Sequence, residues 1–529
     1  MNLHYDSESS NIIKKIDEIG AGKGTNDHKS DLISQLIYRR FRQIFQFVHA
    51  DGIPYMLHKE NHRLCIVIKG SDDMLAILAT YNVYESTKWY PKIMDKLTVK
   101  IRLKGEEVKI HHFSTFNAKI YTVYVSDFDA GIHKITPDSI THVPNGTDGV
   151  LFLPNPTITP IEKPDIAPEP DISPFEQHIT HEIARCLMDG EVVTPGDSLM
   201  LIESWIYSLF FPELLPTRPI LCLVGEAGSG KTSILRRILR AIFGDLQEVS
   251  SLTDDPRDFD AVVSNRHLVC YDNVDSRVKW LEDRLAQVST GSSVERRQLY
   301  SDNTVSISRP RAYIALTART PKFRRDDVSD RLLVINTQRI PDDQFIPEFH
   351  IQKTIHDNRW AINHDLHKRI QRICKAMKAF PEYETCNFRM QDFASFCLKV
   401  ARSNALGNDR AMKLHIDATL EAFDHTNFGQ AEFAIDGNEA AEIIAEFLGD
   451  LGTNTALLTV GELREKCAEI ADQKHINFDY YRNNGKAFGI AFRHHQNKIC
   501  KVTGGTIEKT DDRRDKRVVW ALSGEGEVN

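Results

Sequence analysis

The chain has 529 residues, 41% of them apolar, and a net charge of −8. A chain of this length is too long to fold around one hydrophobic core, so about three domains are expected. No apolar run approaches the roughly 18 residues of a membrane span, which predicts a cytoplasmic protein without membrane contact. The nine cysteines show no C-x-x-C pairing, which argues against a zinc ribbon or a disulfide framework. Since the acidic balance gives no global nucleic-acid signature, DNA contact would require local basic patches.

Proline density and apolar periodicity divide the chain into segments. Seven prolines fall between residues 154 and 174, which predicts an extended linker. Before it we predict strands at 64–68, 97–103 and 120–125 and helices at 74–81 and 89–94. The predicted segments are an N-terminal α+β domain (1–153), the linker (154–174), an α/β core with a parallel sheet and flanking helices (175–340), a helical region (341–430) and a C-terminal domain (435–529).

The segment 225–232 reads Gly-Glu-Ala-Gly-Ser-Gly-Lys-Thr and fits the P-loop motif G-x-x-x-x-G-K-[ST]. An apolar run at 220–224 predicts a buried strand before it, and apolar residues at helical spacing follow until Gly244. This arrangement predicts an ATP site in which Lys231 reaches the β- and γ-phosphates and Thr232 holds Mg²⁺. The predicted nucleotide-contacting residues are Gly225, Glu226, Ala227, Gly228, Ser229, Gly230, Lys231, Thr232 and Ser233.

A second metal-holding carboxylate is expected at the end of a neighbouring strand. The run Leu268-Val-Cys-Tyr-Asp272 has the Walker B pattern, so Asp272 is predicted to bind the metal. Many ATPases place a glutamate at the next position, which here is Asn273. Asparagine orients water but cannot accept its proton, so the catalytic base stays open between Asp275 and Glu226.

A further apolar run at 311–317 predicts a buried strand that ends at Thr317. A hydroxyl there could bind the water near the γ-phosphate, the role called sensor 1. The charged run that follows contains Arg325 and Arg331, either of which could act as an arginine finger supplied to a neighbouring subunit. The alternative is that Arg331 pairs with Asp327, four residues before it.

Residues 293–307 predict a β-hairpin with its turn at 301–303. Arg296 and Arg297 on this hairpin could contact a phosphate backbone in a central channel. Solvated arginines on an ordinary strand are the alternative interpretation.

The C-terminal domain shows a helix, helix, helix and two-strand pattern, with strands predicted at 498–502 and 516–522, as in a winged helix. Between Lys474 and Arg517 there are 11 Lys/Arg and five Asp/Glu, a local excess of positive charge. The predicted DNA contacts there are Arg482, Lys486, Arg493, Arg514 and Arg517. A protein-binding winged helix or a solvated hairpin is the alternative.

With these motifs the chain resembles superfamily 3 or MCM-like AAA+ ATPases, and especially the primase-helicase-like proteins of phages and integrative mobile elements. The matching features are the P-loop, Tyr271-Asp-Asn-Val274 with Trp280-Leu281, Thr290-Gly291, Arg297-Gln-Leu-Tyr300, the run 325–331 and Arg389-Met-x-Asp-Phe-Ala394. They cover about residues 175–400.

This resemblance implies an AAA+ core with Lys231, Thr232 and Asp272 on MgATP and with Thr317 as sensor. It also implies a hexameric ring with single-stranded or duplex DNA in its channel, and replicative helicase activity. The alternative is a nucleotide-gated regulator or defence ATPase that switches assembly without unwinding DNA. A weaker possibility is primer synthesis at Asp127 and Asp129, although such pairs are more often turn residues.

Overall fold

The structure is a computed structural model that describes residues 7–161, 172–190, 192–274, 278, 280–291, 294–297, 305–308, 312–319, 323, 326–436, 438–514 and 517–524. These residues fall into two compact units, one holding 7–161 with Phe243–Leu246 and the other holding the rest. Of the predicted linker, residues 162–171 lie outside the described ranges. No helix within those ranges is both long and apolar enough to cross a membrane.

The first unit combines four helices with three small sheets. Its elements are α1 (Ser7–Ala21), α2 (Asn26–Ile44), β1 (Phe45–Ala50), β2 (Ile53–His58), β3 (Leu64–Ile66), α3 (Asp72–Ala79), α4 (Tyr90–Lys104), β4 (Glu106–Glu107), β5 (Ile110–His111), β6 (Ser114–Asn117), β7 (Thr122–Ser126), β8 (Gly131–Ile135), β9 (Ile140–Pro144) and β10 (Leu151–Phe152). One sheet has the order β3-β2-β1-β4, and β6 to β9 form an antiparallel meander. The short strands β5 and β10 pair in parallel.

The strand predicted at 97–103 is wrong, because these residues belong to α4. The alternation of Leu97, Val99, Ile101 and Leu103 resembles the period of a strand. In the fold only Leu97 and Ile101 are buried, and they continue a helical stripe that packs in the core of this unit. Val99 and Leu103 are 52% and 78% exposed. The burial of Leu97 and Ile101, four residues apart, therefore shows the helical period, and the apolar alternation at 97–103 has no structural role.

The second unit contains a five-stranded parallel sheet with helices and a smaller C-terminal sheet. Its elements are α5 (His181–Ala184), α6 (Pro195–Ser208), β11 (Ile220–Gly225), α7 (Lys231–Phe243), β12 (Ser250–Ser251), α8 (Pro256–Asn265), β13 (Leu268–Asp272), α9 (Leu281–Ser289), β14 (Val294–Arg297), β15 (Val305–Ser308), β16 (Tyr313–Ala318), α10 (Asp326–Ser329), β17 (Leu332–Thr337), α11 (Glu348–Ala379), α12 (Gln391–Ser403), α13 (Asp409–Asp436), α14 (Glu439–Leu451), β18 (Thr455–Thr459), α15 (Val460–Lys474), α16 (Asp479–Asn483), α17 (Gly485–Thr503), β19 (Thr506–Arg514) and β20 (Arg517–Ser523).

The order of the parallel sheet is β12-β13-β16-β11-β17, which places β11 between β16 and β17. The residues of β16 are buried along its whole length, as expected for a strand covered on both faces. Because all five strands are parallel, the ends of β11, β13, β16 and β17 meet at one edge. The chain around Cys186 adds an antiparallel extension there, since the Met188 N–H donates to the Asn336 carbonyl at 3.1 Å.

The C-terminal part of this unit has three strands in the order β18-β20-β19, together with α14, α15 and the α16–α17 pair. The strand predicted at 498–502 is wrong, because α17 continues to Thr503 and buries Ile499 in the same core as Phe488 and Phe492. The first strand of this sheet, β18, was not predicted. Its pairing with β20 joins residues 60 to 68 positions apart, which a local pattern does not show.

Candidate nucleotide-binding site

The predicted P-loop lies between the end of β11 and the start of α7. Gly228 and Gly230 have φ values of +82° and +77°, a region that residues with a side chain rarely adopt. Gly230 also approaches Cys186 so closely that an added Cβ would lie 2.7 Å from the Cys186 Sγ atom. The loop therefore turns its backbone at the N-terminus of a 13-residue helix, where N–H groups and the helix dipole favour an anion.

Lys231 is held over this loop by the loop's own acceptors. Its Nζ donates to the carbonyl oxygens of Gly225 and Glu226, each at 2.7 Å, and to the Ser229 Oγ atom at 3.1 Å. An ammonium group fixed among oxygen acceptors can exchange them for phosphate oxygens. The position and chemistry of Lys231 thus fit a phosphate-binding lysine.

Three predicted site residues meet at the carboxyl edge of the sheet. Thr232 Oγ1 donates to Asp272 Oδ1 at 2.8 Å, and Thr317 Oγ1 donates to the same carboxylate oxygen. Asp272 ends β13 and Thr317 lies near the end of the adjacent strand β16, which explains their proximity. Hydroxyl and carboxylate oxygens are hard donors, so this group fits Mg²⁺ held beside bound phosphates.

Asn273 has a left-handed backbone, with φ at +54°, and its N–H donates to Thr317 Oγ1 at 2.9 Å. The Thr317 hydroxyl therefore connects the Asp272 side chain with the Asn273 backbone. Glu226 lies exposed in the P-loop, whereas Asp275 lies outside the described residues. The choice of catalytic base accordingly stays open between these two acids.

Arg331 lies at the opposite edge of the sheet. The Ile220 N–H, at the start of β11, donates to the Arg331 carbonyl at 2.9 Å, and the P-loop begins only at the other end of that strand. At 3.3 Å per residue, about 17 Å separates the two edges. The Arg331 guanidinium donates to the Ala286 carbonyl at 3.3 Å. Arg331 therefore does not reach the P-loop of its own chain.

Several other predicted site residues are described only in part. Arg325 lies outside the described residues, as does the side chain of Asp327, the alternative partner of Arg331. The strands β14 and β15 pair antiparallel from Val294 opposite Ser308 to Arg297 opposite Val305, but the turn and the side chains of Arg296 and Arg297 lie outside the described part.

A small cleft of about 70 Å³, open to solvent on one side, lies beside α7, next to the P-loop. Its lining includes Cys186, Gly230, Ile234, Ile340, Gln344, Phe345 and Ile351. Glu182 fixes its rim by pairing with Arg185 and Arg237, each at 2.9 Å, and Arg185 donates to the Gln344 carbonyl at 2.7 Å. Burial raises the pKa of Cys186 to about 11, which keeps this thiol neutral. The cleft therefore combines an apolar wall with a charged rim directly beside the P-loop.

The sequence prediction missed Thr337 and the lining of this cleft. Thr337 ends β17, its hydroxyl lies 2.8 Å from the Ser229 Oγ atom, and it also donates to the Val224 carbonyl at 2.9 Å. The end of an apolar strand followed by a hydroxyl residue is the signal that also identified Thr317. Cys186, Ile340 and Phe345 come from separate segments and carry no such signal.

The predicted DNA-contacting residues of the C-terminal part separate into two groups. Lys486 and Arg493 are exposed on one face of α17, together with Ile490, Asn497 and Lys501, which follow at helical spacing. Arg482 instead pairs with Asp472, and Arg514 pairs with Glu462 at 3.1 Å. Arg517 begins β20 and approaches Gly461 near the start of α15.

Comparisons with known proteins connect the central part of the chain with replication. Residues 193–421 match the family model described as Actinomycete integrative conjugative element replication protein. No curated protein matches the chain. The match includes the P-loop, Asp272 and Thr317, so this part of the chain is similar to replication proteins of mobile elements. It agrees with the resemblance to proteins of integrative mobile elements.

Among solved structures, the A form apo structure of the NrS-1 C terminal region is similar at 10% identity and a TM-score of 0.38, over 92% of this chain and 98% of that chain. JCV Helicase bound to a substituted acetamide is 12% identical at a TM-score of 0.20, over 50% of this chain and 74% of that chain.

The close approach of Gly230 to Cys186 makes a testable prediction. Gly230→Ala is expected to weaken ATP binding by about tenfold or more, because the new methyl group meets Cys186 Sγ and strains a left-handed backbone. Gly228→Ala is the matched control, since it imposes similar strain but places its methyl group 3.4 Å from the nearest atom. Titration with a fluorescent ATP analogue measures both.

If the clash is the cause, Cys186→Ala should restore part of the affinity of the Gly230→Ala variant. Equal losses in both glycine variants, without recovery in the double variant, would show that backbone strain alone is responsible.

Proposed function

We propose that this chain is an ATP-dependent, DNA-translocating motor, acting as a ring-forming replicative DNA helicase of a mobile element. The observation that carries the proposal is the convergence of Thr232 and Thr317 on Asp272, directly beside a P-loop with Lys231 bound over it. The similarity of residues 193–421 to replication proteins supports DNA as the molecule on which the motor acts.

The topology supports an AAA+ core. The strand that leads into the P-loop lies inside a parallel sheet, next to the edge strand β17, with the Walker B strand two positions away and the sensor strand between them. This is the arrangement that this class of ATPase requires. The C-terminal strands and helices support a winged helix, with α17 in the position of its recognition helix.

The residues have separable roles in this proposal. Lys231 binds the β- and γ-phosphates, and Thr232 and Asp272 hold Mg²⁺. The bound metal would supply positive charge to the phosphates. Thr317 orients the Asp272 carboxylate and acts as sensor, because its hydroxyl already connects that carboxylate to the backbone of Asn273.

DNA contact is assigned to two surfaces. The β14–β15 hairpin carries Arg296 and Arg297 and would face the channel of a ring. The exposed face of α17, with Lys486 and Arg493, would contact phosphates and bases. Lys498 of α17 lies 3.4 Å from Asp330, the residue before Arg331, so this helix is connected to the segment that would complete a neighbour's ATP site.

A nucleotide-gated switch is the second candidate function, and Asn273 favours it. An amide in place of a glutamate cannot accept a proton from the attacking water, so hydrolysis would be slow while binding stays tight. Such a protein would change its assembly with nucleotide and hydrolyse ATP independently of DNA.

One experiment separates the two functions. ATP hydrolysis is measured with and without single-stranded and duplex DNA, and the mass of the protein in solution is measured with and without nucleotide. A motor predicts severalfold stimulation by DNA and a ring-sized oligomer with ATP. Turnover that is slow and unchanged by either DNA would reject the motor and favour the switch.

A further inference from the structure

A basic cleft in the first unit takes no part in the function proposed above. It lies where the C-terminal ends of α2 and α4 meet the start of β1, and it encloses about 720 Å³ of space, including its open mouth. Its lining residues are Tyr38, Arg42, Phe45, Gln46, Phe47, Lys59 and Lys104. This surface is formed by residues within a single unit.

Three cations line the cleft, Arg42, Lys59 and Lys104, and two more lie close by: Lys100 over the ring of Tyr38, and Arg39 near Lys100. None of these five forms an ion pair with any residue in the described ranges. Lys92 and Lys96, farther towards the start of α4, both pair with Asp31. The same helix is thus neutralised at one end and left positive at the end that borders the cleft.

Helix C-termini account for part of this charge, because a helix dipole favours cations there. Arg42 and Lys104 lie in the last turns of α2 and α4, and Lys59 donates to the carbonyls of Arg42 and Gln43 in the last turn of α2 at 2.8 and 3.0 Å. Arg39 and Lys100 precede those last turns, so the two helix ends do not account for them. Burial lowers the pKa of Lys100, and the neighbouring charges of Lys96, Lys104 and Arg39 lower it further.

Tyr38 supplies a second, independent observation. This residue lines the cleft and is only 8% exposed, and the Nζ of Lys100 lies 4.3 Å from the centre of its ring. Its hydroxyl is buried and has no hydrogen-bond partner among the described residues. A buried hydroxyl without a partner costs stability, so a ligand oxygen would supply an interaction that the protein itself leaves unmade.

We propose that the basic cleft binds the phosphate backbone of a single DNA strand. Unpaired cations in an open, polar cleft suit phosphates. They attract the negative charge of the phosphate, and their N–H groups donate hydrogen bonds to its oxygens. The exposed side chains of Arg42, Lys59 and Lys104 leave the mouth open, which suits a strand that passes through it. Phosphate binding follows from the cleft itself, whereas DNA as the source of the phosphate rests on the proposed function.

The test uses the full chain and two double variants with the same change in charge. R42E/K104E reverses two cations of the basic cleft. K14E/K15E reverses two exposed lysines of α1 in the same unit and serves as the matched control. Affinity for a fluorescent single-stranded oligonucleotide is measured by anisotropy over a range of salt concentrations, and thermal unfolding confirms that both variants fold.

R42E/K104E is expected to weaken oligonucleotide binding by about tenfold or more at 100 mM salt, and to reduce the salt dependence by roughly 0.7 in log–log slope for each lost phosphate contact. K14E/K15E should change affinity less than about twofold. Equal effects of the two variants, or no effect of either, would overturn the proposal.

A separate arm distinguishes a strand from a free phosphate compound. Inorganic phosphate or dTMP at millimolar concentration should displace the oligonucleotide only weakly; displacement at the affinity of the oligonucleotide would overturn the assignment to a strand. Tyr38→Phe should lower oligonucleotide affinity severalfold without lowering thermal stability, because it removes only the unpartnered hydroxyl. A loss of stability with unchanged affinity would assign Tyr38 to the core alone.

The oligonucleotide measurements can fail or succeed separately from the test of the motor. If DNA does not stimulate ATP hydrolysis but R42E/K104E still loses oligonucleotide affinity, the basic cleft stands and the motor fails. If DNA stimulates hydrolysis and R42E/K104E binds normally, the reverse holds.

Discussion

Replacing Lys231 with alanine is expected to lower the rate of ATP hydrolysis by about 100-fold or more. Lys231 Nζ is the cation that the loop holds at the proposed phosphate site, through the carbonyls of Gly225 and Glu226 and the hydroxyl of Ser229. Without it, the charge that develops on the phosphates in the transition state loses its nearest compensation. Steady-state phosphate release by the purified chain, with and without DNA, measures the effect.

Lys375→Ala provides the control, because Lys375 is an exposed lysine of α11 far along the chain from the P-loop. The Lys375→Ala variant should hydrolyse ATP at the wild-type rate. It therefore controls for differences between protein preparations and for the loss of one positive charge. Asp272→Asn should also abolish hydrolysis while retaining much of the nucleotide affinity, since it removes one proposed metal ligand and leaves the P-loop intact. Hydrolysis that survives in the Lys231→Ala variant would mean that the activity belongs to a contaminant or to another site.

The parts of this site that are local in sequence could be predicted from it. The P-loop is a contiguous motif, and Asp272 and Thr317 each end a buried apolar strand, so the meeting of strand ends at one sheet edge brings them together. Thr337 has the same signal and could have been found by the same rule. The observed contacts of Thr232 and Thr317 with one Asp272 oxygen are finer than any spacing rule predicts.

Other parts of the site and of the fold could not be predicted from the sequence and are seen only in the structure. The cleft beside α7 combines Cys186, Ile234 and Phe345, which are far apart in sequence and meet only after the sheet has formed. The stretch 97–103 alternates like a strand, yet it lies in a helix because Leu97 and Ile101 continue a buried stripe that begins before it. In both cases tertiary packing outweighs the local pattern.

Strand order decides the role of Arg331. The sequence places it after the sensor strand, which leaves open whether it acts in its own subunit. Because β17 pairs with β11 and Arg331 precedes β17, the residue lies at the edge away from the P-loop. If Arg331 contacts a γ-phosphate, it does so on a neighbouring subunit in a head-to-tail ring.

Arg331→Ala is therefore expected to lower ATP hydrolysis by about 10³-fold at ring-forming concentrations, while ATP affinity changes little. The loss comes from the transition state, where a finger arginine offsets charge on the transferred phosphate. Arg410→Ala, an exposed arginine at the start of α13, is the matched control and should behave as wild type. Arg325→Ala belongs in the same series, because the sequence predicts either arginine as the finger.

A mixing experiment distinguishes a finger from a structural arginine. Lys231→Ala subunits keep Arg331, and Arg331→Ala subunits keep an intact P-loop, so a contact between the two types restores one complete site. Random mixing at equal amounts in a ring of head-to-tail contacts gives roughly one intact site in four, and hydrolysis should recover to about that share of the wild-type rate. If Arg331 instead serves only to bind the Ala286 carbonyl, the Arg331→Ala subunits are defective in themselves and mixing restores nothing. Recovery in the mixture therefore requires an arginine that acts across a subunit boundary, which also requires the ring.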